Sequence, residues 1–199
     1  MKVLIFGHSF VRDLLCLGDW NREVELEDGS KENLEFLFRY YSGKDFDYFL
    51  SHLETFEVIK NINPDAIVIV LGGNLIVDAN SNSAIKLLAT DFYNQLNQVI
   101  RPECIKFATQ IEPRFCKKGN RFGTPEAEEF NRRRTQINNH FGSVLKKRKL
   151  VDYLVFIRED FKYCPELYKP DGIHLSKEGL ELLKGSVIGG IVYALNRKQ

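Results

Sequence analysis

The chain has 199 residues, of which 44% are apolar and 28% are charged, and its formal charge is +1. This length and composition predict a soluble protein of one domain over residues 1–199, and the near-neutral charge gives no general reason to expect nucleic acid or membrane surfaces as partners. No apolar run is long enough to span a membrane, and the first one is too short for a signal peptide. We therefore expect an intracellular, cytoplasmic location, and the sequence leaves open whether the chain belongs to a larger protein.

Five apolar segments predict β-strands, and they lie at residues 2–6, 34–40, 66–71, 105–110 and 151–156. The third segment is apolar at every position, which is typical of a parallel strand buried on both faces. Residues 19–29, in which Val24 and Leu26 alternate with glutamates, predict either an exposed strand or a loop, followed by a turn at Asp28-Gly29.

Between the strands, apolar residues recur at helical spacing and predict helices over residues 45–61, 83–100, 125–149 and 176–196. The third helix follows Thr124 as an N-cap, begins with Pro125 and ends in a basic run that complements the helix dipole. Ser176 is the expected N-cap of the last helix. The alternation of strands and helices indicates the α/β class, as a three-layer α/β/α sandwich on a mainly parallel five-stranded sheet.

Four cysteines, Cys16, Cys104, Cys116 and Cys164, are scattered along the chain without a C-x-x-C pair. Their spacing supports neither a zinc site nor a disulfide framework, and reduced thiols are the expectation for an intracellular protein. We therefore predict no metal site.

Three of the predicted strands end in small or polar residues, in the blocks Gly7-His8-Ser9, Ser42-Gly43 and Gly72-Gly73-Asn74. Because ligands of such sheets bind in the crevice outside the carboxyl ends of the strands, all three blocks are expected to face one site. Near the other end of the chain, Asp171-Gly172-Ile173-His174 places a carboxylate three residues before an imidazole. Residues 111–124 are expected to form a long polar connection on the same side of the sheet.

These residue types match a nucleophilic hydrolase. A serine hydroxyl needs a base to take its proton, and we predict Ser9 as nucleophile, His174 as base and Asp171 as the group that orients the imidazole. Backbone N–H groups near Ser9 and at Gly43, with the Asn74 amide, are expected to form an oxyanion hole.

Each motif also has a plain structural explanation when taken alone. Ser9 could be a simple helix N-cap, Asp171-Gly172 a turn, and His174 a partly buried histidine bonded to the backbone. Gly72-Gly73-Asn74 could equally be a turn, because glycine and asparagine tolerate positive φ. A functional interpretation explains all of these positions together.

The four blocks, in this order, resemble those of the SGNH (GDSL-type) hydrolases, and the resemblance extends over nearly the whole chain. It implies a flavodoxin-like α/β/α sandwich that hydrolyses esters, often acetyl or other acyl esters of sugars or lipids, without a metal or organic cofactor. It also implies Ser9, Asp171 and His174 as the triad and Ser9, Gly43 and Asn74 as the oxyanion donors. Two positions depart from the family pattern: His8 replaces the aspartate of G-D-S, and Leu75 replaces the aspartate of G-x-N-D.

The residues around Ser9 and His174 also resemble those of SGNH domains of animal mobile elements. These include the esterase-type domain in the first open-reading-frame protein of some LINE-type retrotransposons. That resemblance implies a partner domain, self-association and nucleic acid nearby. Two basic runs, at residues 132–134 and 146–149, lie on one predicted helix, where glutamates at i−4 favour a solvated helix face over a phosphate-binding patch. The changed motif positions His8 and Leu75 suggest an alternative to an esterase, namely a binding or scaffold module of the same fold that lost efficient catalysis. A dinucleotide-binding function is not supported, since no G-x-G-x-x-G follows the first strand.

Overall fold

The computed structural model describes residues 1–78, 81–114, 125–156, 161 and 164–197, and within these ranges the strands form one six-stranded sheet. The strands are β1 (Lys2–Gly7), β2 (Arg22–Glu25), β3 (Lys31–Tyr40), β4 (Ala66–Val70), β5 (Ile105–Thr109) and β6 (Tyr153–Val155). Their spatial order is β2-β3-β1-β4-β5-β6, and every neighbouring pair is parallel except β2 and β3. The predicted α/β class and mainly parallel sheet are confirmed.

The predicted number of five strands is wrong, because β2 adds an edge strand to the sheet. It pairs antiparallel with β3 through a turn in which Gly29 has a φ of +79°, a conformation that favours glycine. On β2, Val24 alternates with exposed glutamates, as expected for an edge strand with one face toward solvent. A four-residue edge strand buries too little apolar surface for its sequence to be distinguished from a loop.

The described α-helices are α1 (Ser9–Leu15), α2 (Phe46–Ser51), α3 (Glu54–Ile62), α4 (Leu75–Asp78), α5 (Asn82–Val99), α6 (Pro125–His140) and α7 (Lys177–Asn196). The predictions for α5 and α7 are confirmed to within one residue at each end. Ser176 caps α7 as predicted, since its hydroxyl accepts a hydrogen bond from the Gly179 N–H. The short α4 was not predicted, and the expected N-cap Thr124 lies outside the described residues.

The helix predicted over residues 45–61 is divided into α2 and α3. The Nδ1–H of His52 donates to the carbonyl of Tyr48 at 2.8 Å, and the two rings stack with centroids 4.0 Å apart. This carbonyl is the one that the His52 backbone N–H would use in a continuing α-helix. The His52 N–H instead bonds to Phe49, and the helix ends.

The helix predicted over residues 125–149 is α-helical only as far as His140. A single π-helical segment, Phe141–Leu145, follows, in which the Lys146 N–H bonds to the Phe141 carbonyl five residues back. The wider turn leaves both Phe141 and Leu145 in the core. The chain then turns and reaches Lys149 in a left-handed conformation, so the basic run 146–149 lies in a turn.

The sheet separates two apolar clusters, which makes the three predicted layers. Alternate residues of β1 point to opposite faces: Leu4 and Phe6 join the cluster under α2, α3, α5 and α6, whereas Val3 and Ile5 join the one under α1 and α7. All of β4 is buried, as its unbroken apolar sequence predicted. None of the helices whose residues the structure describes combines the length and apolarity that a membrane crossing requires.

Candidate active site

Three of the four motif blocks lie side by side at the carboxyl ends of neighbouring strands. β1 is flanked by β3 and β4, and all three strands run in the same direction, so residues 7–9, 42–43 and 72–74 follow adjacent carboxyl ends. This is the convergence that the strand-end pattern predicted. The carboxyl ends of β3, β1 and β4 therefore form the base of the candidate site.

Gly7 and His8 make the sharp passage from β1 into α1. A Cβ on Gly7 would lie only 2.1 Å from the carbonyl oxygen of Val70 on β4, so any other residue at this position would force the two strands apart. His8 is the N-cap of α1, and its Nδ1 accepts a hydrogen bond from the Phe10 N–H at 3.4 Å. Ser9 is consequently the first residue of the helix, and its role as a simple N-cap is excluded because His8 is the cap.

A chain of hydrogen bonds joins the two ends of the protein. Ser9 Oγ lies 3.3 Å from His174 Nε2, and His174 Nδ1 lies 2.7 Å from Asp171 Oδ2. The short contact to the carboxylate assigns the Nδ1 proton to the neutral ring, which leaves Nε2 as the acceptor for the serine hydroxyl. The Ser9 contact is at the long end of the range for a hydrogen bond from a hydroxyl group.

The loop that carries the carboxylate and the imidazole is ordered by the carboxylate itself. Asp171 Oδ1 accepts the backbone N–H groups of Ile173 at 2.8 Å and His174 at 2.9 Å. Burial by itself would raise the pKa of Asp171, but the hydrogen bonds from the His174 ring and these two N–H groups lower it. Asp171 is therefore ionised at neutral pH and can stabilise a positive charge on the imidazole.

Gly43 and Asn74 line a shared cleft of about 390 Å³ beside the ends of β3 and β4. Gly43 has a φ of +75°, which favours glycine. The Asn74 Nδ2 atom is buried and has no hydrogen-bond acceptor among the described residues. A buried donor without a partner is costly, and a ligand oxygen that accepted its hydrogen bond would remove that cost.

Asp45 is a site residue that the sequence reasoning missed. Its carboxylate is 3% exposed and accepts four backbone N–H groups, from Phe46 at 2.9 Å, Gly72 at 2.8 Å, Asn74 at 3.1 Å and Leu75 at 3.2 Å. Burial raises its pKa to about 6, although these hydrogen bonds oppose the shift. Asp45 thus fixes the segment that carries Asn74.

The two departures from the family pattern have structural partners. Leu75 is buried in the core, and its backbone N–H donates to the Asp45 carboxylate at 3.2 Å. His8 is buried, and burial, followed by the nearby positive charge of Arg114, lowers its pKa to about 3, so it is neutral. The one sequence signal for Asp45 was an aspartate at the start of a predicted helix two residues after Gly43.

The polar connection after β5 reaches the same edge of the sheet. The Arg114 guanidinium donates to the Gly73 carbonyl at 3.1 Å and lies over the Phe130 ring. Asn131 on α6 in turn holds the Arg114 backbone through both its amide oxygen and its amide nitrogen. Arg114 therefore contacts the Gly72-Gly73-Asn74 block and is itself held in place by α6. The rest of this connection, residues 115–124 with Cys116, lies outside the described residues.

The first basic run is occupied by contacts within the protein. Arg132 pairs with Glu129 at 2.7 Å, Arg133 donates to Asn82 and to the Ile76 carbonyl, and Arg134 is half-buried and donates to the Ile111 carbonyl at 3.1 Å. The second run differs, because all four side chains at residues 146–149 are exposed. The predicted solvated helix face with ion pairs thus applies to Arg132, while Arg134 faces the interior.

Comparisons with known proteins find likeness only at the level of structure. No protein-family model and no curated protein sequence matches the chain. The chain is similar to a GDSL-like lipase from Bacteroides thetaiotaomicron, with a TM-score of 0.67 and 18% identity over 97% of this chain and 88% of that one. It is also similar to an acetyl xylan esterase, with a TM-score of 0.68 and 15% identity over 96% of this chain and 100% of that one.

A third similar structure is the lipase/acylhydrolase from Enterococcus faecalis, with a TM-score of 0.66 and 16% identity over 97% of this chain and 96% of that one. At these identities the likeness concerns the fold. It confirms the expected three-layer α/β/α sandwich over nearly the full length of the chain.

Proposed function

Because the chain has the fold of the SGNH hydrolases, we propose that it is a serine ester hydrolase with Ser9 as nucleophile. One observation carries the proposal: the continuous Ser9–His174–Asp171 hydrogen-bond chain at the carboxyl edge of the sheet. The similar structures support the reaction class, since they are named as lipases, acylhydrolases and esterases.

The first half of the reaction acylates the serine. Ser9 Oγ attacks the ester carbonyl carbon while its proton moves to His174 Nε2, and the carbonyl oxygen becomes an oxyanion. Asp171 stabilises the imidazolium that forms. As the tetrahedral intermediate collapses, the bond to the alcohol oxygen breaks, and the Nε2 proton passes to that oxygen, so that the alcohol leaves and an acyl-serine remains.

The second half releases the acid. Water gives a proton to His174 Nε2 and attacks the acyl carbon, and the resulting intermediate expels Ser9 Oγ, which takes the proton back. The oxyanion in both halves is held by the backbone N–H groups of Ser9 and Gly43 and by Asn74 Nδ2. The first-turn position of Ser9 favours negative charge there, because its N–H has no partner inside the helix. No metal or organic cofactor takes part in this scheme.

The orphaned Asn74 donor is the feature that best fits an oxyanion hole. Its Nδ2 is buried without an acceptor among the described residues, so the hydrogen bond to an oxyanion requires no other bond to be broken. A preorganised donor of this kind is worth about 3 kcal/mol of barrier. The proposed substrates are small-molecule, sugar or lipid acyl esters, with acetyl esters included.

The test compares p-nitrophenyl acetate hydrolysis by the wild type, Ser9→Ala and Ser143→Ala. Ser143 is a matched control, since it is exposed and its hydroxyl donates to the Asn139 carbonyl one turn earlier. We expect Ser9→Ala to lose nearly all turnover and fluorophosphonate labelling, and Ser143→Ala to keep both. Equal turnover by the wild type and Ser9→Ala would remove the proposal.

The second candidate is a binding or scaffold module of the same fold. It is favoured by the four exposed cations at residues 146–149 and by the changed motif positions His8 and Leu75. The implied kinship with mobile-element proteins, with its nucleic-acid partner and self-association, stays a prediction within this candidate. An inactive wild type whose salt-dependent RNA retention is lost in Lys146→Gln/Lys147→Gln/Arg148→Gln would support it, and absence of RNA retention would count against it.

A further inference from the structure

The two halves of the proposed catalytic relay belong to segments 165 residues apart in sequence, Ser9 on α1 and His174 on a late loop. Asp13 follows Ser9 by four residues, so both lie on the same side of α1. Asp13 is 7% exposed. Its Oδ1 accepts hydrogen bonds from Arg12 Nε at 3.0 Å and Nη2 at 2.8 Å, and its Oδ2 accepts one from Lys169 Nζ at 3.0 Å.

Lys169 belongs to the loop that carries the acid and the base. Its backbone N–H donates to the His174 carbonyl at 2.7 Å, and its carbonyl accepts the Gly172 N–H at 2.8 Å. The Lys169 backbone thus closes the turn that contains Asp171 and His174. Its side chain leaves this turn and reaches the helix that begins with Ser9.

We propose that the Asp13–Lys169 ion pair is a positioning contact that sets the distance between Ser9 and His174. The inference rests on the proposed function, because it assigns Lys169 a role in that reaction. We call this pair the Asp13–Lys169 clamp. Neither of its residues touches the reacting atoms, so both act through the geometry of the relay.

The arrangement of charges supports a positional role over a stabilising one. Asp13 is already paired by Arg12 within its own helix, so its burial does not depend on Lys169. Burial by itself would raise the pKa of Asp13, but Arg12 and Lys169 lower it, which keeps the carboxylate charged. The Lys169 side chain is 46% exposed, so solvent screens its charge, and Arg12 still pairs with the buried Asp13 when Lys169 is replaced.

Other contacts restrain the loop at different points. Between α1 and the loop, the Phe10 and His174 rings meet edge to face at 5.8 Å. Within the loop, an isolated bridge joins Tyr168 to Leu175 at its base. The clamp adds a charged contact from the start of this turn to α1, at a different point from the Phe10–His174 ring contact. Because displacement of a catalytic group by about 1 Å costs up to about 100-fold in rate, loss of the clamp should appear in kcat.

The test compares Lys169→Met, Lys169→Arg and Arg12→Met with the wild type in p-nitrophenyl acetate hydrolysis and in the rate of fluorophosphonate labelling of Ser9. Arg12→Met is the matched control, because it removes the other cation from the same carboxylate without touching the loop. We expect Lys169→Met to lower kcat and the labelling rate at least about ten-fold with little change in KM. Lys169→Arg should recover most of the rate, and Arg12→Met should stay within about two-fold.

Amide hydrogen exchange of peptides covering residues 169–176 gives a second readout that does not depend on activity. Faster exchange there in Lys169→Met but not in Arg12→Met supports the clamp. Equal rates and equal exchange in these two variants overturn it and leave the proposed function intact. An inactive, unlabelled wild type overturns the proposed function instead, and hydrogen exchange then decides the clamp by itself.

Discussion

Gly7 illustrates how one residue determines where the candidate nucleophile lies. β1 and β4 approach so closely at this point that a Cβ would overlap the Val70 carbonyl oxygen at 2.1 Å. The close approach allows His8 to turn the chain and Ser9 to begin α1 at the edge of the sheet. The glycine of the first block is thus required by packing, whatever reaction the site performs.

The packing at Gly7 predicts opposite effects for two glycine-to-alanine changes. Gly7→Ala should lower the free energy of unfolding by about 3 kcal/mol, because the new methyl group forces β1 and β4 apart. Gly185→Ala, on an exposed turn of α7 with open space around it, should raise it by about 0.5–1 kcal/mol through helix propensity. Urea denaturation of both variants measures the difference, and similar effects at the two sites would contradict the packing argument.

Asn74 offers a way to separate catalysis from stability at a single residue. Asn74→Ala should lower kcat of ester hydrolysis about 100- to 1000-fold, because the oxyanion loses a preorganised donor. Its melting temperature should not fall, since Nδ2 has no protein acceptor in the described part of the chain. Steady-state kinetics and thermal melting check both statements, and a large loss of stability with unchanged kcat would contradict them.

At the scale of elements, Asp45 joins the start of α2 to the connection between β4 and α4. One carboxylate accepts N–H groups from both segments, so the two motif blocks at Gly43 and at Gly72-Gly73-Asn74 are held in a fixed relation. The first turn of a helix and a glycine-rich turn are both rich in free N–H groups. A buried anion between them satisfies several of these groups at once.

The raised pKa of Asp45 predicts a pH-dependent stability term. The folded-state pKa of about 6 lies above the ordinary value, so the folded protein binds the Asp45 proton more tightly than the unfolded protein does. Protonation of Asp45 therefore stabilises the fold at low pH, and this stabilisation is lost as pH rises from about 4 to about 6. The loss amounts to about 3 kcal/mol. The free energy of unfolding of the wild type minus that of Asp45→Asn, measured in urea at several pH values, should therefore decrease over this interval; a flat or rising difference would contradict the prediction.

At the scale of the whole molecule, the two apolar clusters share the same sheet. Alternate residues of β1 enter opposite clusters, and α1 and α7 pack on one face while α2, α3, α5 and α6 pack on the other. Neither cluster can be exposed without removing one side of the shared strands. This sharing supports the proposal that residues 1–199 fold as one domain.

The single tryptophan provides the test of that proposal. Trp20 is 5% exposed, donates its Nε1–H to the Leu14 carbonyl, and contacts Phe36 and the Lys184 ammonium of α7. Its fluorescence therefore reports the α1 and α7 face of the sheet, whereas far-UV circular dichroism reports all helices. The two unfolding curves in urea should coincide if the chain unfolds as one unit. Separate midpoints would indicate independently folding parts.

By itself, the sequence determined the α/β class, the central strands and the order of the motif blocks. These features depend on local patterns, such as the unbroken apolar run of β4 and the Ser176 cap of α7, which few competing structures satisfy. It also predicted that the blocks at Ser9, Gly43 and Asn74 would meet, because the carboxyl ends of parallel strands face one crevice. That Ser9 would meet Asp171 and His174 was predicted from the chemistry of these residue types and from the family resemblance.

The tertiary structure alone decided the edge strand β2, the division of the 45–61 helix at His52, and the roles of Asp45 and Lys169. These features depend on contacts between distant segments or, at His52, on a side chain that competes with the backbone for a carbonyl. Contacts of these two kinds leave no periodic signal in the sequence. A buried carboxylate that receives N–H groups from Gly72 and Leu75 has the same local sequence as an ordinary helix cap. The hydrogen-bond partners of such a carboxylate lie far away in sequence and meet it only when the chain is folded. The periodicity of apolar residues, in contrast, depends only on the nearest turns of a helix or strand.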